Sequence, residues 1–164
     1  AFAMARTADA HGWRLVVLGH GPEEVALRTL ANELGLGSDA EFRGHVAHVH
    51  DWYARAGVLA HGSRLEGFPN VLMEAMASGL AVIATDCRSG PADLITEGRD
   101  GFLVPVDDAA AMARRLQQLM TDDGLRMRIA SAATEAHERF AAATVAERWL
   151  VVLDQRREDQ PCAA

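Results

Sequence analysis

Apolar residues fall along this chain in two rhythms that take turns. Leu15-Val16-Val17-Leu18 is a short unbroken run ending at Gly19, whereas residues 23–34 carry their apolar positions at helical spacing and stop at Gly35. That is strand, turn, helix. The alternation recurs: strands at 40–43 and 57–60 flank a short helix near 49–56, a helix follows around Glu74, and Ala81-Val82-Ile83-Ala84-Thr85 reads as another strand. Strands without polar alternation are covered on both faces. A Gly/Pro loop, a one-turn helix at 91–96, a turn at Gly98 and a last strand at 102–104 come next. Beyond Pro105 the pattern is helical throughout, at 109–120, 125–140 and 142–153. Strands and helices in this order predict an α/β fold with a parallel, doubly wound sheet, helices on both faces and a helical carboxy-terminal segment. Ligands are expected at the carboxyl ends of the strands.

Length and composition narrow this further. The 164 residues, 49% hydrophobic and 24% charged, suit one globular domain, expected over 1–154, with residues 155–164 as a polar, mobile tail. The opening Ala1-Phe2-Ala3-Met4-Ala5 reads as the interior of a helix, so the chain is expected to be a piece of a longer protein, cut at its amino-terminal end. A net charge of −7 without a basic stripe excludes nucleic acid as the expected partner. Cys87 and Cys162 stand far apart without metal or disulfide spacing, which fits a reducing, cytoplasmic setting. No apolar run reaches the roughly 18–20 residues needed to cross a bilayer.

The candidate chemistry lies in Glu66-Gly67-Phe68-Pro69-Asn70-Val71, where the strand at 57–60 gives way to a helix, and in Glu74, with seven residues between the two glutamates. Glu74 is the one charge in a helical stretch of Val, Leu, Met and Ala, so it is expected to be buried on most sides and to need donors. Free backbone N–H groups at the helix start favour an anion such as phosphate. Gly67 allows a close approach, and Pro69 presets the chain's entry into the helix. A ligand with a diphosphate in the middle and a hydroxyl-bearing sugar on each side satisfies the whole set, and a nucleotide sugar is such a ligand. The other reading has Glu66 capping the helix and Glu74 bonded internally.

Other motifs carry less. Gly19-His20-Gly21-Pro22 follows a strand and opens a helix, but Glu24 stands where a dinucleotide fingerprint needs its third glycine. Gly19 and Gly21 either turn a corner or floor a ligand cleft. His45, His48 and His50 suggest a metal at first sight, yet no fourth-ligand pattern follows, so no metal is expected. Cys87 reads as a packed side chain rather than a nucleophile. The loop 86–91 either brings further N–H groups to the cleft or simply turns into a helix. Trp52, Tyr53, Phe68 and Trp149 read as core or interface aromatics.

The segments 15–22, 42–44, 63–79, 86–95 and 98–105 together closely resemble the carboxy-terminal, donor-binding domain of retaining glycosyltransferases of the GT-B fold, in the large family 4, or glycosyl transferases group 1. The Glu-x7-Glu run containing Glu-Gly-Phe-Pro-Asn carries most of that resemblance. It implies a Rossmann-like domain forming one half of a GT-B fold. By resemblance Glu74 would bind ribose hydroxyls, Glu66 would act as the catalytic-site carboxylate holding a hydroxyl of the transferred sugar, and the backbone from Gly67 to Val71 would contact sugar and diphosphate. The backbone of Val46 would face the base. The implied reaction moves a hexose or N-acetylhexosamine from a nucleotide sugar, often UDP-linked, to a glycan or lipid-linked acceptor with retained anomeric configuration and no cofactor. The family's Arg…Lys clamp on the diphosphate and its amino-terminal acceptor domain are not in this sequence, so the fragment alone is expected to be inactive. The resemblance allows peripheral contact with the inner membrane face through that missing domain. Leu65 replaces a frequent aromatic, Ala81 a frequent Pro and Asp93 a frequent Glu. Two alternatives stand beside this reading: a non-catalytic nucleotide-sugar-binding or interaction module, and, more weakly, a sugar-nucleotide epimerase.

Overall fold

All five expected strands are present, and they pair in parallel. β1 (Leu15–Leu18) lies beside β2 (Ala40–Gly44), while β3 (Val58–His61), β4 (Ala81–Thr85) and β5 (Phe102–Val104) form a second sheet with β4 in the middle. The structure is a computed structural model that describes residues 1–159 apart from 8, 9 and 11. Helices fill the intervals: α1 (Phe2–Ala5), α2 (Glu24–Glu33), α3 (His50–Tyr53), α4 (Asn70–Ala77), α5 (Pro91–Leu94), α6 (Ala109–Thr121), α7 (Asp123–His137) and α8 (Ala142–Asp159). α8 therefore runs past the expected end at Leu153. Residues 160–164 of the expected tail lie outside the described residues.

β4 shows why an unbroken apolar run makes a central strand. All five of its residues are buried, and their side chains go alternately to two cores. Ala81 and Ile83 join Phe102, Val104, Leu116, Leu119 and Ile129 on one face, together with Phe2 and Ala5 of α1. Val82 and Ala84 join Leu72, Met76, Leu94 and Ala133 on the other. The sheet is thus sandwiched between α1 and α6 on one side and α4 on the other, with α7 reaching both cores through Ile129 and Ala133. Asp108 and Asp122 start α6 and α7 by accepting the Ala111 and Leu125 N–H groups, both at 2.8 Å.

β1 and β3 differ from β4. Each has one strand neighbour, and their residues are half-buried or exposed rather than buried. The two sheets nevertheless share a core, to which Leu15, Ala40, Phe42 and Val58 all contribute. Trp13 helps to join them: its indole donates to the Met120 carbonyl at 3.1 Å and packs so tightly on Gly57 that a Cβ there would sit 2.8 Å from the ring.

Candidate functional site

β3 ends one residue later than the sequence suggests, at His61, which pairs with Ala84 on the last rung of the ladder. The chain then loops through Gly62 to Leu65 and returns at Glu66 over the end of its own strand. This places the Glu66 carboxylate against the His61 ring, Oε1 to Nε2 at 2.8 Å, with both side chains about one-fifth exposed. The Ser63 hydroxyl and then His61 hold the Glu66 carboxyl below its ordinary value, outweighing a small opposing effect of burial. The single Ser63 proton is shared with the Leu65 carbonyl, 3.0 Å away. Glu66 does not cap α4: the cap position is Pro69, with no side-chain hydrogen bond.

Three contacts fix this loop to its neighbours. The buried Thr85 hydroxyl at the end of β4 donates to the Ser63 carbonyl. Ser89, in the loop after β4, donates to the Glu66 carbonyl at 2.9 Å, and Arg64 pairs with Asp107, in the loop after β5, at 2.9 Å. The loops after β3 and β4 also touch through Gly90, at φ 104°, where a Cβ would come within 2.7 Å of Pro69 Cδ. Ser89 itself takes the left-handed conformation, φ 62°, a mild strain of the kind that collects at binding loops.

At the start of α4, Leu72 and Met73 donate to the Pro69 carbonyl and Asn70 to that of Phe68. The N–H groups of Gly67, Phe68 and Val71 have no acceptor among the described residues. Phe68 is 45% exposed, edge-on to Phe140 at 6.2 Å, and Val71 is also exposed, while Pro69 is buried. Glu74 is half-buried rather than buried on most sides, because Leu72, Ala75 and Met76 take the inward stripe of α4 and leave it at the border. Its Oε2 accepts from the Tyr53 hydroxyl of α3 at 3.2 Å. Tyr53 is 5% exposed, and burial, the Glu74 charge and this hydrogen bond push its phenol up to about 12.

Gly19 lies at the end of β1 with φ 99° and donates to the Gly44 carbonyl at 2.6 Å. Gly19, His20, Gly21 and Pro22 floor an open hollow of about 300 Å³ with Leu27 and Phe42. The half-buried Val46 sits in the loop after β2, and its backbone bonds to none of the described residues. A larger hollow, about 380 Å³ between β5 and α6, is remote from both glutamates in its lining. Its position marks it as a groove of the helical layer. Among the described residues no group of three His, Cys, Asp or Glu is placed to hold a metal ion. Cys87 is packed at 4% exposure.

His61, Ser63 and Tyr53 are the polar partners that sequence reasoning missed. Position alone could have flagged His61, since a titratable residue at the carboxyl end of a parallel strand lies where such folds bind ligands. Trp52, which reads as a core or interface aromatic, is half-buried beneath Arg43 and Arg55, and Trp149 is 62% exposed.

These features define an α/β domain of the doubly wound class with a polar site at the carboxyl ends of its strands. Residues 1–136 match the family described as glycosyl transferases group 1, and the chain belongs to that family. It is 39% identical over 163 residues to an exopolysaccharide phosphotransferase of Streptomyces coelicolor, covering 97% of this chain and 17% of that protein. It is 32% identical over 149 residues to an amylovoran biosynthesis glycosyltransferase of Erwinia amylovora, covering 91% and 42%. Among solved structures it resembles HepE of Anabaena in complex with UDP, with a TM-score of 0.80 and 26% identity over 93% of this chain and 43% of that one. The chain therefore spans less than half of each of these proteins. Its parallel sheets with flanking helices are those of GT-B glycosyltransferase domains. No helix among the described residues is long and apolar enough to cross a membrane.

Proposed function

We propose that this chain is the donor-binding half of a retaining glycosyltransferase, which moves a hexose or N-acetylhexosamine from a UDP-linked sugar to a glycan or lipid-linked acceptor. One observation carries the reading: Glu66 and Glu74 each meet a protein side chain through one oxygen, His61 and Tyr53 respectively, at the two ends of a segment whose Gly67, Phe68 and Val71 N–H groups have no acceptor among the described residues. A carboxylate offers about four acceptor sites, so each retains capacity for ligand hydroxyls. Glu74 takes the ribose hydroxyls, Glu66 a hydroxyl of the transferred sugar, and the amides the diphosphate between them. Each carboxylate–hydroxyl bond contributes about 1.5–3 kcal/mol. The amides and the α4 dipole oppose the charge that builds on the departing diphosphate, and the fixed Glu66 loop holds the sugar for attack from the same face. UDP in the HepE structure supports this choice of nucleotide.

The whole enzyme needs more than these residues. We assign to absent parts the cationic clamp on the diphosphate, the acceptor domain and any peripheral membrane contact. The single-neighbour strands β1 and β3 support one further absent piece. In the doubly wound order the first strand lies between the second and the fourth, which are the places β1 and β3 would take.

A second reading has its own support. The 39% identical relative is called a phosphotransferase, and this chain spans 17% of it, as a sugar-nucleotide-binding module within a protein of other chemistry would. Incubating the full-length protein with UDP-glucose, UDP-galactose, UDP-N-acetylglucosamine and UDP-N-acetylgalactosamine decides between them. Release of UDP with a new α-linked product supports the transferase. Donor binding without turnover supports the module, and neither binding nor turnover removes both.

A further inference from the structure

We propose that His61 is a positioning residue for the donor sugar: its Nε2–H fixes one oxygen of the Glu66 carboxylate, so that the remaining lone pairs meet a sugar hydroxyl in one orientation. This rests on the donor-site reading above and adds to it the residue on which the geometry of Glu66 depends.

The placement follows from the fold. His61 is the last residue of β3 and is held in register with Ala84, so its backbone cannot drift. Glu66 arrives at the end of a loop fixed by Thr85, Ser89 and Arg64 to the loops beside it. The two side chains therefore meet between a rigid strand end and a tethered loop, at 2.8 Å and about one-fifth exposed. Arg64, the nearest cation in sequence, is turned to Asp107 and does not serve as the counter-group. The Ser63 hydroxyl also reaches Glu66, but its one proton has the Leu65 carbonyl as an alternative. A ring N–H on a strand end is the stiffer donor. A free glutamate has three rotatable side-chain bonds, and ordering them at binding costs conformational entropy. His61 removes that cost in advance, and it does so for the sugar-facing carboxylate alone. Glu74, on the nucleotide side, is held independently by Tyr53.

The consequence is a selective effect. Losing the His61 donor should weaken recognition of the sugar and leave the uridine diphosphate part untouched. The test compares the native chain with His61→Ala and His61→Gln, the latter retaining an N–H at nearly the same reach. Carbon-13 NMR of the Glu66 carboxyl is followed against pH, and ligand-observed saturation transfer is recorded with UDP and with UDP-glucose and UDP-N-acetylglucosamine. In His61→Ala the Glu66 carboxyl should titrate closer to the ordinary 4.5, and the signal from the sugar protons should fall at least threefold while that from the uridine protons holds. His61→Gln should recover most of both. A Glu66 titration unchanged in His61→Ala, or equal losses of the sugar and uridine signals, overturns the proposal while leaving the donor site standing. No uridine signal from the native chain overturns the donor site itself, and with it any role for His61 in donor recognition.

Discussion

Tyr53 is the chain's only tyrosine, which makes its ionisation a clean report on Glu74. Burial first, and then the Glu74 charge and hydrogen bond, keep the phenol neutral well beyond its ordinary 10, up to about 12. The folded state thus favours the protonated phenol, so the stability this gives is fully present below 10 and is lost as pH rises toward 12. Ultraviolet titration of the native chain should show tyrosinate appearing only near that upper value, and Glu74→Gln should bring the midpoint down part of the way. A midpoint at 10 in the native chain would separate Tyr53 from Glu74. Glu66 has the opposite sign. Its carboxyl is held low, so its contribution is present above 4.5 and disappears as pH falls through the folded value. Both glutamates stand out in the sequence as charges within an apolar, loop-to-helix run. Their partners do not, because Tyr53 is 21 residues from Glu74 and is brought to it by the core that it shares with Leu72 and Met76 of α4. His61 was hidden by one residue of strand length: with β3 ended at Ala60 it reads as loop, and with the true end it stands on the ladder facing Glu66.

At the scale of elements, the site is a set of loops that hold one another. The loops after β3, β4 and β5 are joined by Thr85 to Ser63, Ser89 to Glu66 and Arg64 to Asp107. Gly90 lets the second loop lie against Pro69 at the start of α4. Gly90→Ala combines a left-handed φ with a contact of 2.7 Å to Pro69 Cδ, so a loss of about 2 kcal/mol in stability is expected. Chemical denaturation measures it, and a loss under about 0.5 kcal/mol would mean that the two loops are not held in this contact. The strands and helices themselves were legible to within a few residues, since unbroken apolar runs and helical spacing leave little choice. Ends were less so. The helix expected near 49–56 shrinks to His50–Tyr53, and α8 extends to Asp159, because local pattern does not show where packing or a cap stops a helix.

Across the whole molecule, the order of elements was enough to predict a parallel α/β domain, and the two faces of β4 show how that order becomes two cores. The division into two sheets was not legible. It depends on which strands find neighbours, and β1 and β3 each find one. The same openness bears on function, because Glu66 and Glu74 at the carboxyl ends of the strands are partly exposed and remain in contact with water. Its electrostatic interactions are weakened accordingly. Binding by this chain alone should therefore be modest even though its carboxylates are in place. The central claim is that Glu74 and the amides beside it grip a nucleoside diphosphate, and titration calorimetry with UDP tests it most directly. The native chain should give saturable heats with a Kd of roughly 0.1–1 mM, and Glu74→Ala should bind at least about tenfold more weakly. Equal heats from the two proteins, or none from the native chain, would contradict it.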